Sequence, residues 1–144
     1  MQLNTILIPT DGSSNVYSAV DAALELAKMT GATVKAVYVV DREPGLAAPD
    51  IQLCDIVNEA SRKEAEDAFA AVKIMADKAG VEYSQAILTG DPADAIIAES
   101  ANNDMIVMTT VGKSGLKKAL MGSVSQKVIA RAKCPVMVTK PNKE

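Results

Sequence analysis

Five short apolar runs, each closed by a turn signal, alternate along this chain with segments whose apolar residues recur every three or four positions. Thr5 to Pro9 runs into Thr10-Asp11-Gly12, and Thr33 to Val40 is continuous and β-branched, the pattern of strands covered on both faces. Tyr83 to Leu88, Met105 to Met108 and Val136 to Thr139 complete the set, the last set off by Pro135. Between the first two runs, Val16, Val20, Ala23 and Ala27 keep helical spacing, with Ser13 as N-cap and Gly31 as stop. Pro44, Gly45 and Pro49 mark a long loop. The helix after it starts between Asp50 and Asp55 and runs to Ala79, burying Ala65, Ala68, Val72, Met75 and Ala79, with Gly80 ending it. Gly90-Asp91-Pro92 supplies a turn, an N-cap and a proline at the first helical position, ahead of a helix that buries Ile96, Ile97 and Ala101. Ser123 to Ala132 reads as a last short helix. The alternation has no linker, charge block or composition break, so it predicts one α/β domain over residues 1–144, built on an open parallel sheet.

Composition narrows what such a domain does. At 144 residues it can bury a real core without disulfides or metals. Histidine is absent, which removes the commonest general base and metal ligand. A net charge of -3 and an aromatic share of 3% argue against nucleic acid as a partner, although Lys113, Lys117 and Lys118 form a local basic patch. Cys54 and Cys134 are too few and too far apart for a disulfide framework. The first residues, MQLNTILIPTDG, lack the pattern of a secretory signal, and no apolar stretch is long enough to span a bilayer. The expectation is a cytoplasmic protein with no membrane partner.

Candidate chemistry gathers at two strand ends. In open α/β sheets ligands bind beyond the carboxyl ends of strands where strand order reverses. The first strand ends in Pro9-Thr10-Asp11-Gly12-Ser13, and the fourth in Thr109-Thr110-Val111-Gly112-Lys113-Ser114-Gly115. The GKS letters are not a P-loop, because the glycine required five residues before Gly112 is Val107. Still, Gly112 and Gly122 bracket one loop that offers exposed amides, the N-terminus of the last helix, the hydroxyls of Ser123 and Ser125, and the charge of Lys113. That inventory suits a polyphosphate. Equally, Ser123-Val124-Ser125-Gln126 matches a capping box, which would tie the Ser123 hydroxyl to its own helix. Asp11 can hold ribose hydroxyls or a phosphate-bound metal, or simply close a T-D-G turn. Tyr38, Val39 and Met108 read as core on pattern alone.

ILIPTDGS, YVVD and the closing stretch TTVGKSGLKKALMGSVSQKVIARAKCPVMVTK together resemble the universal stress protein family over nearly the whole chain. Its ATP-binding branch is similar in carrying G-x2-G-x9-G-[ST]. Gly112, nine intervening residues and Gly122-Ser123 reproduce the second half, while Thr109 stands at the first glycine. The resemblance implies an adenine nucleotide alpha hydrolase-like fold with a five-stranded sheet ordered 3-2-1-4-5 and helices on both faces. It implies ATP, with Mg2+ or Mn2+, held by Pro9, Thr10 and Asp11 on the sugar side. Val39 and Met108 would lie at the base, Thr109 near the sugar, and Gly112, Lys113, Ser114, Gly122, Ser123, Val124 and Ser125 around the phosphates. It also implies a homodimer joined through Val136 to Thr139, and a nucleotide-dependent stress or signalling switch with an unknown protein partner. With no histidine and Asp11 the only evident carboxylate, hydrolysis is expected to be slow at most. The competing expectation is an ATP-independent dimeric interaction module.

Overall fold

The computed structural model describes residues 2–41, 59–110 and 122–141. Five strands, β1 (Thr5–Pro9), β2 (Thr33–Val40), β3 (Tyr83–Thr89), β4 (Met105–Thr109) and β5 (Val136–Thr139), form one parallel sheet in the order β3-β2-β1-β4-β5. Among the described residues four helices accompany them: α1 (Tyr17–Thr30, entered through a 3-10 turn at Ser14–Val16), α2 (Glu59–Ala79), α3 (Pro92–Ser100) and α4 (Ser123–Arg131).

Side-chain alternation along the strands divides the core in two. Ile6, Ile8, Val34, Ala36 and Val107 face α1 and α2, where Val20, Ala23, Ala65, Phe69 and Val72 cover them. Leu7, Val37, Ile106 and Met108 face the other way, against Ile96 of α3 and Val128 of α4. Both faces are covered, which is why these strands read as unbroken apolar runs.

The local signals account for most boundaries. Gly31 closes α1 at φ 78°, a conformation that favours glycine, and its amide bonds to the Ala27 carbonyl. Asp91 caps α3, its carboxylate accepting from the Asp94 amide at 3.0 Å, with Pro92 in the first turn. Two details differ from the sequence reading. α3 buries Ala93, Ile96 and Ser100, with Ala101 exposed as its C-cap, because the helix turns its i, i+3, i+7 row inward. At the first helix, Ser13 precedes the 3-10 turn and makes no capping bond through its side chain. The expected loop at 42–49 and helix start at 50–55 lie outside the described residues.

β1 and β4, neighbours only because the order reverses there, are joined at their amino ends. The Asp104 carboxylate accepts from the amides of Asn4 (2.9 Å) and Thr5 (3.0 Å), and strand register runs only through Ile6↔Met105 and Leu7↔Ile106. Beyond that point the two strands lead separately to the face where ligands bind in such sheets.

Candidate functional site

A cleft of about 340 Å3 opens at the carboxyl ends of β1 and β4. Its first wall is the end of β1, with Pro9, Thr10 and Asp11; its second is the tip of β2, with Val37, Tyr38 and Val39. Met108 and Thr109 lie at the end of β4, and Gly122, Ser123, Val124 and Ser125 bring in the start of α4. Every predicted site residue within the described part of the chain therefore lines one cavity. Gly112, Lys113 and Ser114 lie outside the described residues, as do Lys117 and Lys118.

Each wall is set by backbone bonding. The Thr10 amide donates to the Val37 carbonyl at 2.9 Å, extending β1 beside β2 by one residue. The chain then turns: Gly12 adopts φ 86°, its amide donating to Thr10 Oγ1 at 3.2 Å, and the Ser13 amide donates to Asp11 Oδ1 at 2.9 Å. One carboxylate oxygen of Asp11 thus closes the turn, and the side chain still borders the cleft. The turn reading of Asp11 holds.

On the opposite side, the Thr110 amide bonds to the Thr139 carbonyl at 2.9 Å, and the Gly122 amide returns to the Thr110 carbonyl at 2.8 Å. Gly122, with φ -67° and ψ 162°, is the N-cap of α4, and the first helical bond runs from the Gln126 amide to the Gly122 carbonyl. The capping-box expectation fails: Gly122, which has no side chain, is the N-cap, Ser123 is the first helical residue, and no bond from its hydroxyl to another described residue is present. Two donors counted from sequence are used within the chain. They are the Gly122 amide and the Ser125 hydroxyl, which donates to the Thr109 carbonyl at 2.9 Å. The amides of Ser123, Val124 and Ser125 precede the first intrahelical bond, so they and the helix dipole present a positive end to the cleft.

Between these polar ends the cleft is apolar. Val39, Ile96, Met108 and Val124 belong to or pack against the core on the α3 and α4 side, and they give the cleft apolar sides. Sequence reasoning had not placed Val16, Val37, Tyr38, Pro92 and Ile96 at the site. Tyr38 had one legible signal: it is the residue beside Val39 at the end of a strand. Its hydroxyl donates to Glu64 Oε2 at 3.1 Å, and burial, then Glu64, then Asp11 push the phenol above its ordinary pKa. Cys134 is free and half-buried, and burial followed by the Asp104 charge pushes its thiol up, away from the reactive thiolate. Among the described residues, no helix is long and apolar enough to cross a membrane.

Comparison with known proteins agrees with this fold. The model of the Universal stress protein family matches residues 2–140. A universal stress protein of Methanocaldococcus jannaschii is 42% identical over 142 residues, covering 96% of this chain and 84% of that protein. Among solved structures, a universal stress protein from Lactobacillus plantarum superposes with a TM-score of 0.77 at 25% identity, covering 96% of this chain and 98% of its own. One in complex with cAMP reaches 0.76 at 23% identity over 99% and 100% of the two chains. The Archaeoglobus fulgidus protein in complex with dAMP reaches 0.71 at 21% identity over 96% and 98%.

Proposed function

The chain belongs to the universal stress protein family, and from that premise we propose that it binds an adenine nucleotide in the cleft between β1, β4 and α4, acting as a nucleotide-dependent stress or signalling switch. The observation that carries this reading is the polarity of the cleft. Apolar sides from Val39 and Met108 lead to a helix start whose three first amides have no partner within the helix. Relatives of the same fold solved with cAMP and dAMP make the adenine nucleotide the ligand class to test.

In this reading the base lies between Val39 and Met108, and Pro9, Thr10 and Asp11 border the sugar. Phosphoryl oxygens accept from the amides of Ser123, Val124 and Ser125, an arrangement worth about 0.3 to 1 kcal/mol per charge at an exposed helix end. Gly122 adds a specific argument. Its φ of -67° suits any residue, and a Cβ there would meet only the Thr110 carbonyl oxygen at an ordinary 3.5 Å, so the fold itself does not demand glycine. Close approach of a ligand does. ATP is the form proposed, with Mg2+ or Mn2+ shielding its phosphates. Among the described residues no three acidic, cysteine or histidine side chains group to hold a metal ion, so such a cation takes its ligands chiefly from the phosphates themselves. Hydrolysis is proposed to be slow, since Asp11, the carboxylate of the cleft, already uses one oxygen in its own turn.

Calorimetric titration with ATP, AMP and cAMP, with and without Mg2+, tests the proposal. Saturable heat with any of them supports it; no heat and no thermal stabilisation at millimolar nucleotide overturns it.

A second reading, an ATP-independent dimeric module, is favoured by the internal use of the Gly122 amide and by the outer side of β5, which has no neighbouring strand among the described residues. In either reading the proposed homodimer pairs Val136 to Thr139 with a second copy. Sedimentation analysis giving only monomer at micromolar concentration removes the dimer.

A further inference from the structure

Thr110 stands between the edge strand β5 and the start of α4, bonded to both. Its amide donates to the carbonyl of Thr139, the last residue of β5, at 2.9 Å, and its carbonyl accepts from the amide of Gly122, the N-cap of α4, at 2.8 Å. The Ser125 hydroxyl lies 3.4 Å from the same carbonyl. On the α1 side, the hydroxyls of Thr139 and Ser18 share a hydrogen bond at 2.9 Å. One peptide thus separates the helix turn that faces the cleft from the end of the edge strand.

The outer side of β5 has the pattern of a strand that pairs with its own copy. The Ile106 amide donates to the Pro135 carbonyl and the Thr110 amide to the Thr139 carbonyl, so by alternation Val136 and Val138 turn their amides and carbonyls away from β4. About a two-fold axis at Met137, Val136 of one copy faces Val138 of the other, and each such pair exchanges both N–H···O bonds. The four residues Val136 to Thr139 are half-buried and hold no charge or proline that would discourage pairing.

We propose that nucleotide binding and the pairing of β5 are coupled through Thr110, so that a filled cleft strengthens the homodimer and the homodimer strengthens nucleotide binding. The coupling rests on the nucleotide and dimer readings given above. Phosphoryl oxygens on the amides of Ser123, Val124 and Ser125 fix the first turn of α4, that turn fixes Thr110, and Thr110 holds the end of β5 in the extended form that pairing requires. A strand end that is already ordered loses less conformational freedom when a second strand adds to it. Linkage makes the factor the same in both directions.

Sedimentation velocity over a dilution series, with and without saturating Mg-ATP at matched ionic strength, tests the coupling, and calorimetry on the same protein reports whether nucleotide binds. The dimer dissociation constant is expected to fall at least about fivefold with Mg-ATP, and nucleotide affinity measured below the dimer midpoint to be weaker by the same factor. Binding heat with an unchanged dissociation constant, or with monomer throughout, overturns the coupling and leaves the nucleotide reading standing. No binding heat overturns both. Val138→Lys, its fold checked by circular dichroism, charges the open edge and is expected to give a monomer that binds Mg-ATP at least about fivefold more weakly than the wild-type dimer; equal affinity contradicts the coupling. Should that variant not fold, the wild-type dilution series decides the question alone. Hydrogen exchange of the Thr110 amide, followed in dilute monomer, is expected to slow at least about threefold on saturation with Mg-ATP, and an unchanged rate removes Thr110 as the link.

Discussion

The Ser125 hydroxyl donates to the Thr109 carbonyl oxygen at 2.9 Å, fastening the first turn of α4 to the last residue of β4. Both residues are buried. The bond ties the helix end that faces the cleft to the sheet, so the first turn of α4, with the amides of Ser123 and Val124, is held in place beside the cleft.

Ser125→Ala should therefore lower stability by about 1 kcal/mol, the usual effect of removing a buried hydrogen bond. Thermal denaturation reads that change. Nucleotide affinity should fall as well, because the loosened turn no longer presents its amides in a fixed direction.

Gly122→Ala separates folding from binding. Its extended backbone and the ordinary 3.5 Å contact to Thr110 add no strain, so the stability loss stays near about 1 kcal/mol, that of a poorer N-cap residue. Nucleotide affinity by calorimetry should drop at least about tenfold as the new methyl group meets the phosphates. A variant that folds normally and binds as before contradicts the proposed placement.

Thr109→Gly removes a buried β-branched side chain from the end of β4. The expected outcome is tighter nucleotide binding in calorimetry together with a stability loss of about 1 kcal/mol from the strand, seen as a lower melting point.

Asp91→Ala removes the cap that accepts from the Asp94 amide. A loss of about 1 kcal/mol is expected in chemical denaturation, with nucleotide affinity unchanged.

Alkaline pH should weaken the fold through Tyr83, whose phenol burial pushes up to about 12 from an ordinary 10.0. Below pH 10 the phenol is protonated in both states and the contribution is complete. From about pH 10 to about 12 the unfolded chain loses the proton first, binds fewer protons than the native state, and stability falls as pH rises. A phenolate absorbance titration alongside denaturation at each pH checks both the window and the sign. Tyr83→Phe should flatten that slope.

Much of this was legible from residue order, and the exceptions have physical reasons. β1, β2 and β5 begin and end where the apolar runs do, and Gly31, Gly80 and Asp91 mark helix ends through backbone conformation and capping alone. Strand order was not available from periodicity, because alternation records which face a residue takes and not which strand lies beside it. It came with the family resemblance. The placement of Ser123 at the first helical position, rather than as the cap, depends on an extended Gly122, a conformation open to any residue and so unmarked in sequence. The five additional cleft residues, Tyr38 among them, have the composition of core. Only their location at the strand tips gives them another role.

The Asp104 carboxylate grips the amides at the base of β1, and β4 stays in step with that strand for only two residue pairs. The pair resembles tongs pinned at the handle. At the opposite end each strand is held by its outer neighbour instead, β1 by β2 as far as Pro9 and β4 by β5 as far as Thr109, and that is the end at which the cleft opens.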